Sequence, residues 1–193
     1  MNVRVPVVAT ERLALVSLPG SALRALMNGR RPAVEHRLDV RLPVDLARRA
    51  KALLRIRLAD VERDPAARPW LLRLIVLREE TPRPAIGLIG FHGRPDDAGR
   101  AEVGYEIFEP YRRRGYAREA VVGLLDWAAR RHGVRRFLAA IGPDNEASLR
   151  LALGLGFRQV GVQVDEDDGL EFVYEVVWPT GRVSPERGRP ANP

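Results

Sequence analysis

The most informative stretch is Glu102–Ala120, EVGYEIFEPYRRRGYAREA, in which an arginine-rich turn joins a strand to a long helix. Alternation over Ala101–Phe108 predicts the strand, and an apolar stripe along Arg114–Arg131 predicts the helix. A helix N-terminus offers unpaired N–H groups at the positive end of the helix dipole, which favours an anion. Gly115 permits the backbone angle that turns N–H groups inward, and Ala117 lets a phosphate approach closely.

A second motif follows about thirty residues downstream, beyond a strand predicted at Val134–Ile141. It reads PDNEAS from Pro143 to Ser148, and a leucine-rich helix and a Gly-Phe pair follow it. A well-capped helix explains the aspartate, the leucines and the glycine, but it gives no role to Asn145 and Ser148 together. The two motifs in this order are more specific than either alone.

The rest of the chain supplies further strands and helices around these motifs. Strands are predicted at Thr10–Ser17, Trp70–Leu77, Ala85–Phe91, Phe157–Val164 and Leu170–Trp178, and helices at Pro19–Met27 and Pro43–Glu62, with an irregular stretch over Asn28–Leu42. The predicted order is β-α-α-β-β-β-α-β-α-β-β. This order predicts an α/β fold.

Length and composition favour one domain and exclude several chemistries. The chain has 193 residues, which suits a single domain over residues 1–178, and the Pro- and Gly-rich segment 179–193 is predicted to be a tail. It has no cysteine, which excludes disulfides, thiolate metal sites and a cysteine nucleophile. Its three histidines do not stand at ligand spacing, so no metal is expected.

The net charge of +7 does not point to a nucleic-acid partner. Of the 32 basic residues, all but Lys51 are arginine, and they are spread along the chain instead of forming a patch. No apolar run is long enough to span a membrane, and the N-terminus lacks the pattern of a signal peptide. We therefore expect a cytoplasmic protein with no membrane partner and no specific nucleic-acid partner.

The two motifs together resemble those of the GNAT superfamily of acetyl-coenzyme A dependent N-acetyltransferases, and within it the RimJ/RimL-like branch. The similarity spans Thr10–Trp178 and includes an opening Thr-Glu-Arg-Leu and a Gly-x-x-Gly-Phe run that ends at Phe91. Arg112–Ala117 resembles the family's Q/R-x-x-G-x-G/A coenzyme A motif, and Asn145 with Ser148 resembles its N-x-x-S. The resemblance implies a mixed, mostly antiparallel sheet of about seven strands with helices on both faces.

The resemblance also implies where acetyl-coenzyme A binds. The pyrophosphate would lie against the backbone N–H groups of Arg112, Arg113, Arg114, Gly115, Tyr116 and Ala117. The pantetheine would pair along the end of the fourth strand, where that strand splays from the fifth, so that Ile107 and Phe108 face the thioester. A main-chain N–H there would polarise the acetyl carbonyl. Asn145 and Ser148 would hold the coenzyme or order the adjacent loop.

Acetyl transfer to an amine needs a base for the ammonium proton and benefits from an acid for the leaving thiolate. Glu102 is the first candidate for the base and Glu106 the second, because both lie on one face of the strand. Tyr105 is predicted on the opposite face. Many family members use a tyrosine as the acid, but Ala152 stands at that position here, and Ser148 is the nearest hydroxyl.

The sequence does not decide which class of amine accepts the acetyl group. The branch resemblance points to a protein N-terminus, as on ribosomal proteins, whereas an antibiotic or polyamine is the alternative small-molecule acceptor. An open, shallow groove would favour the peptide and a closed acidic pocket the small cation. His92 is a further candidate for touching the substrate. An acyl-coenzyme A binding module without turnover is the alternative that is not an enzyme, and the chain is expected to be a monomer or homodimer.

Overall fold

The computed structural model describes residues 5–165 and 169–179. The strands in this part of the chain are β1 Val8–Ala9, β2 Leu13–Ser17, β3 Arg73–Leu77, β4 Ala85–Phe91, β5 Arg100–Ile107, β6 Arg136–Ile141, β7 Arg158–Asp165 and β8 Gly169–Val177. The α-helices are α1 Gly20–Met27, α2 Arg31–Leu38, α3 Leu46–Arg49, α4 Lys51–Arg63, α5 Tyr116–His132 and α6 Glu146–Gly154. None of these helices is both long and apolar enough to cross a bilayer.

The eight strands form one sheet in the order β1-β2-β3-β4-β5-β6-β8-β7. Neighbouring strands are antiparallel except for β5 and β6, which are parallel. A parallel pair needs a crossover connection, and α5 supplies it by packing across one face of the sheet. The fold therefore agrees with the α/β expectation, with one strand more than the seven predicted.

Each face of the sheet covers its own hydrophobic core, because alternate residues of a strand point to opposite faces. On β2, Leu13 and Leu15 pack with α5 and α6, whereas Ala14 and Val16 pack with α1–α4. The second core takes no residue from β6, β7 or β8. Helices α1–α4 therefore cover one half of their face of the sheet, and within residues 5–165 and 169–179 no helix covers the other half.

Two parts of the helical region differ from the sequence prediction. The stretch predicted to be irregular, residues 28–42, contains α2, which is stabilised by an ion pair of 2.6 Å between Arg31 and Glu35 one turn apart and by the buried Val34. The single helix predicted from residue 43 to residue 62 is divided into α3 and α4. At Ala50, φ is −96° and ψ is 19°, which lies outside the helical range and separates the two.

Element boundaries differ by a few residues elsewhere. The extra strand, β1, has two residues and pairs with β2, a length too short for an alternating pattern to be visible in the sequence. Helix α5 begins at Tyr116 instead of residue 114 because Gly115 has a left-handed backbone. The predicted tail lies outside the described residues, except for Pro179.

Candidate active site

A cleft opens where β5 and β6 part. The two parallel strands are paired at Arg100–Glu102 of β5, and the last pair joins Glu102 to Leu138. Beyond that pair the strands diverge, and a cavity of about 380 Å³ lies between them. Its lining includes Val121 from α5 and Leu155 after α6 on one side of the sheet, and Glu171 of β8 on the other. The cleft therefore passes through the sheet from one face to the other.

The register of β5 directs free backbone groups into this cleft. The N–H of His92 donates to the carbonyl of Glu102 at 2.9 Å, and the N–H of Phe108 donates to Ile86 at 2.8 Å. In an antiparallel ladder these groups alternate in direction. The backbone groups of residues 103, 105 and 107 therefore point away from β4, toward the open edge.

This alternation separates the two residues predicted to face a thioester. Ile107 presents its N–H to the open edge, and its carbonyl accepts a hydrogen bond of 2.8 Å from the Nε of Arg112. Phe108 uses its N–H within the sheet, and its side chain is buried in the core beneath α1–α4, where the Arg49 guanidinium lies 5.1 Å from its ring. Phe108 therefore supports the strand and does not line the cleft.

The turn before α5 has the geometry of an anion site. Gly115 caps the helix with φ at +79°, and Arg113 has φ at +59°. This backbone leaves the first-turn N–H groups, including those of Tyr116 and Ala117, without partners in the helix, and Arg112 and Arg114 are exposed beside it. Because the glycine has no side chain, a pyrophosphate can reach these N–H groups, so the residues fit the coenzyme.

A partly buried carboxylate anchors the turn to the start of β2. Glu119 in the first turn of α5 accepts hydrogen bonds from the Thr10 hydroxyl at 2.6 Å and from the backbone N–H and Nε of Arg12 at 2.7 and 2.6 Å. Burial would raise the pKa of Glu119, but these hydrogen bonds outweigh it and leave the pKa lowered. The resemblance named Thr10 and Arg12 without a role, and the structure supplies one.

Arg12 also adds charge to the turn itself. Its Nη1 donates to the carbonyl of Arg114 at 3.1 Å, and its guanidinium lies 4.6 Å from the ring centre of Tyr116. A Cβ on Gly115 would lie 3.4 Å from the Nη2 of Arg12. A residue about 100 positions earlier in the chain is thus part of the candidate pyrophosphate site, which no local motif could indicate.

Two hydroxyl groups meet on the side of the cleft next to α6. The Tyr105 and Ser148 side chains interact with each other, and both line the cavity. Burial raises the pKa of the Tyr105 phenol, and the interaction with Ser148 acts in the opposite direction. Ala152, which stands where many family members carry a tyrosine, lines the same wall of the cleft. The phenol on this wall therefore comes from Tyr105 of β5. Sequence analysis placed Tyr105 on this face correctly but gave it no role.

Asn145 orders the loop that leads into α6. Its Oδ1 accepts a hydrogen bond of 3.1 Å from the backbone N–H of Ser148, which is an N-cap. It also lines the cleft. Of the two roles the resemblance implies for Asn145, the geometry provides the ordering of the loop.

The two candidate bases have different surroundings. The Oε1 of Glu102 lies 3.0 Å from the Nδ1 of His92, and both side chains line the main cleft. Glu106 lies further along the strand, is about half exposed, and pairs with Arg49 at 2.9 Å. It borders a second, smaller cavity of about 170 Å³ on the α4 side of the sheet, and this cavity meets the main cleft at His92, Gly104 and Tyr105.

Comparison with known proteins identifies the family. The model of the Acetyltransferase (GNAT) domain matches residues 12–158, about three quarters of the chain. The chain therefore belongs to the GNAT acetyltransferase family, whose acyl donor is acetyl-coenzyme A. The RimJ/RimL-like branch is supported by structural neighbours alone.

Individual relatives are more distant. The uncharacterised N-acetyltransferase YoaA from Bacillus subtilis is 38% identical over 99 residues, which cover 49% of this chain and 56% of that protein. The chain thus matches about half the length of this curated relative.

Solved structures show the same fold over nearly the whole chain. RimL, described as a ribosomal alpha-N-protein acetyltransferase and solved with coenzyme A, has a TM-score of 0.61 at 18% identity, covering 90% of this chain and 98% of RimL. MccE, a microcin self-immunity acetyltransferase solved with acetyl-CoA and AMP, has a TM-score of 0.58 at 17% identity, covering 87% of this chain and 93% of MccE. At these identities the likeness establishes the fold and leaves the acceptor open.

Proposed function

We propose that this protein transfers an acetyl group from acetyl-coenzyme A to the primary amine at a protein N-terminus, within a ternary complex. The donor enters from the α5 and α6 side, with its pyrophosphate at the turn of residues 112–117 and its pantetheine along the open edge of β5. The thioester supplies an activated acetyl group. The Ile107 N–H, directed into the cleft, is placed to stabilise negative charge on the acetyl oxygen.

The open half of the sheet is the observation that supports a peptide acceptor. On this face the side chains of Leu138, Ala140 and Val173 are partly exposed, and no helix of the described chain covers them. The face runs past Glu102 into the cleft. An extended polypeptide can lie along it with its terminal amine in the cleft, whereas a small molecule would be left largely in solvent.

Among the described residues, the charges on this face do not form the acidic pocket that a polyamine would require. Glu106 pairs with Arg49 and Glu175 with Arg136 at 2.6 Å, whereas Glu102 lies beside the imidazole of His92. Two of these carboxylates are thus compensated by arginines, and the remaining negative charge of Glu102 suits a singly charged ammonium better than a polycation. The Asp165 and Glu171 carboxylates border the cleft near the β7–β8 hairpin, and they are the feature that favours a small-molecule amine as the second candidate.

The reaction also needs a proton to leave the acceptor ammonium and a proton to reach the departing thiolate. The ammonium proton is taken within the His92–Glu102 pair, and the hydroxyl groups of Tyr105 and Ser148 are placed to hydrogen-bond the leaving sulfur or to protonate it. Glu106, further along the strand and paired with Arg49, is the less favourable base. These assignments rest on position in the cleft and on side-chain chemistry.

An acceptor panel tests the proposal by thiol release and mass spectrometry. The panel contains short peptides with a free N-terminus, the same peptides blocked at the N-terminus but carrying a lysine, spermidine, and an aminoglycoside. We expect turnover with the free peptides and none with the blocked ones. Turnover with spermidine or the aminoglycoside alone would contradict the peptide acceptor and support the second candidate, a small-molecule amine.

A matched pair of proteins separates an enzyme from a binding module. Glu102→Gln should retain acetyl-coenzyme A binding but lose most of the turnover rate. If the wild-type protein binds acetyl-coenzyme A and releases thiol with none of the acceptors above the rate of buffer hydrolysis, the chain is a non-catalytic acyl-coenzyme A module and the proposal is wrong.

A further inference from the structure

We infer that His92 takes the proton from the acceptor ammonium and that Glu102 is a positioning residue that acts through it. The inference rests on the proposed transfer to an amine. It assigns to a histidine the role for which the sequence suggested a carboxylate.

The Glu102 carboxylate is already engaged on the side that faces the imidazole. The Oε1 of Glu102 lies 3.0 Å from the Nδ1 of His92, and the backbone N–H of His92 donates to the backbone carbonyl of Glu102 at 2.9 Å. An ionised carboxylate can only accept hydrogen bonds, so this close approach favours the tautomer that carries the imidazole proton on Nδ1. The Nε2 of His92 then carries the lone pair, and a neutral imidazole in this tautomer is a base.

A glycine makes room for this ring. A Cβ on Gly104 would lie 2.7 Å from the Nε2 of His92, closer than such atoms approach in proteins. Nε2 therefore lies directly over Gly104, at the point where the main cleft and the smaller cavity meet. The side chain of His92 is 51% exposed and that of Glu102 is 26% exposed, so the imidazole is the more accessible of the two to an incoming amine.

The carbonyl of His92 is held as well. The Nη1 of Arg57, a buried arginine of α4, donates to it at 3.3 Å and to Asp60 at 2.9 Å. The imidazole is thus fixed from its own backbone, from β5 and, through its carbonyl, from α4. The charged or titratable groups around it are Arg57 and Asp60 from α4, Glu102, Tyr105 and Glu106 from β5, and Asp165 and Glu171 from the hairpin.

The proton balance of the transfer is then complete. The acceptor R–NH3⁺ gives one proton to the Nε2 of His92, and the neutral amine attacks the thioester carbon. A C–N bond forms and the C–S bond breaks. The second nitrogen proton leaves as the amide forms, and the departing thiolate gains a proton from the Tyr105–Ser148 hydroxyl pair or from solvent. His92 returns its proton to solvent, so the net products are the acetylated amine, the free thiol and one proton.

Kinetics of two variants test whether His92 or Glu102 takes the proton from the acceptor. His92→Gln should lower kcat by about 10²- to 10⁴-fold, the usual contribution of a general base, and leave the Kd for acetyl-coenzyme A unchanged. It should also remove the acidic limb of the kcat/KM profile against pH. Glu102→Gln should lower kcat less than His92→Gln does and should keep that limb. His36→Gln, on the exposed surface of α2, is the matched control and should match the wild type.

A spectroscopic measurement decides the same point without turnover. In ¹⁵N-labelled protein, long-range proton–nitrogen spectra should show His92 as the Nδ1–H tautomer, and Glu102→Gln should convert it to a mixture, while His36 stays unchanged. An Nε2–H tautomer in the wild type would overturn the inference, even if no acceptor were turned over. Wild-type kcat in His92→Gln together with a loss in Glu102→Gln would also overturn it, because Glu102 would then be the direct base.

Discussion

Among single residues, Gly115 has the most direct link to cofactor binding. Its φ of +79° lies in the left-handed region, and the missing side chain leaves the first-turn N–H groups of α5 accessible. Gly133 ends the same helix with φ at +71° and has nothing within 4 Å of an added Cβ. The two glycines thus share their backbone conformation, and Gly115 alone of the pair lies at the positive end of the dipole.

We predict that Gly115→Glu abolishes acetyl-coenzyme A binding in isothermal titration, because it places bulk and negative charge against the pyrophosphate. Gly133→Glu should lower the free energy of unfolding by a similar amount, about 1–2 kcal/mol, because a side chain is unfavourable in the left-handed region. It should bind acetyl-coenzyme A like the wild type. Equal loss of binding in the two variants, or wild-type binding by a folded Gly115→Glu protein, would contradict the proposed pyrophosphate site.

This chain has Ala152 where many family members carry a tyrosine in α6, and Tyr105 and Ser148 supply hydroxyl groups that line the cleft. We predict that Tyr105→Phe, which removes one oxygen, lowers kcat about tenfold with little change in the Kd for acetyl-coenzyme A. Because the two side chains interact with each other, the double variant with Ser148→Ala should be no slower than the slower single variant. Additive losses in single-turnover kinetics would show that the hydroxyls act independently.

At the scale of elements, the contact of β2 with α5 holds the cofactor turn in place. Three hydrogen bonds converge on Glu119, whose side chain is 16% exposed. Gly123, one turn further along α5, allows the same approach, since a Cβ there would lie 2.5 Å from the Cγ2 of Thr10. The helix and the strand therefore meet closely at two successive turns.

We predict that Glu119→Gln lowers the free energy of unfolding by about 1–3 kcal/mol at pH 7, the range for hydrogen bonds to a charged group. Because the pKa of Glu119 is lowered in the folded protein, its contribution is present in full above the ordinary glutamate value of about 4.3 and is lost as pH falls through the folded-state pKa. In urea titrations the difference between wild type and variant should shrink below about pH 4.

A surface carboxylate in the first turn of α6 provides the control for this experiment. Glu146 pairs with Arg150 at 2.8 Å, and both side chains are more than two thirds exposed. Glu146→Gln should therefore change stability by no more than about 0.5 kcal/mol. A loss in Glu119→Gln that is equally small, or one that stays constant down to pH 3, would show that the contact does not stabilise the fold.

For the whole molecule, Trp178 makes the buried contacts that directly follow the last strand, β8. Its side chain is fully buried, its Nε1 donates to Asp126 of α5 at 2.7 Å, and its backbone N–H donates to Arg135 at 2.7 Å. It therefore ties the last strand of the sheet to the crossover helix.

We predict that a chain truncated after Pro179 keeps the thermal midpoint and acetyl-coenzyme A affinity of the full chain, because the composition of residues 180–193 is typical of an unstructured tail. Trp178→Ala should lower the free energy of unfolding by about 3–5 kcal/mol through the cavity it leaves. Calorimetry measures both. A truncated chain that melts several degrees earlier would show that residues 180–193 belong to the folded domain.

Local signals in the sequence predicted much of the fold and part of the site. Periodicity located β5, α5 and β6, and the glycine and arginines of the turn indicated the anion site, because each of these depends on residues close together in the chain. The helix α2 was missed because its stability comes from one ion pair and one buried valine, which leave a weak apolar pattern. The division between α3 and α4 was missed because an apolar spacing continues across Ala50.

The sequence by itself determined the family and most of the order of elements, and it indicated the turn proposed to receive the coenzyme, since helix periodicity, capping and backbone angles are set by near neighbours. The tertiary structure alone decided which side chains meet in the cleft. Arg12 reaches the cofactor turn, Tyr105 reaches Ser148, and His92 reaches Glu102, and strand register brings the last pair together across β4 and β5. Register is fixed by the packing of both cores on one sheet, and that packing depends on the whole chain.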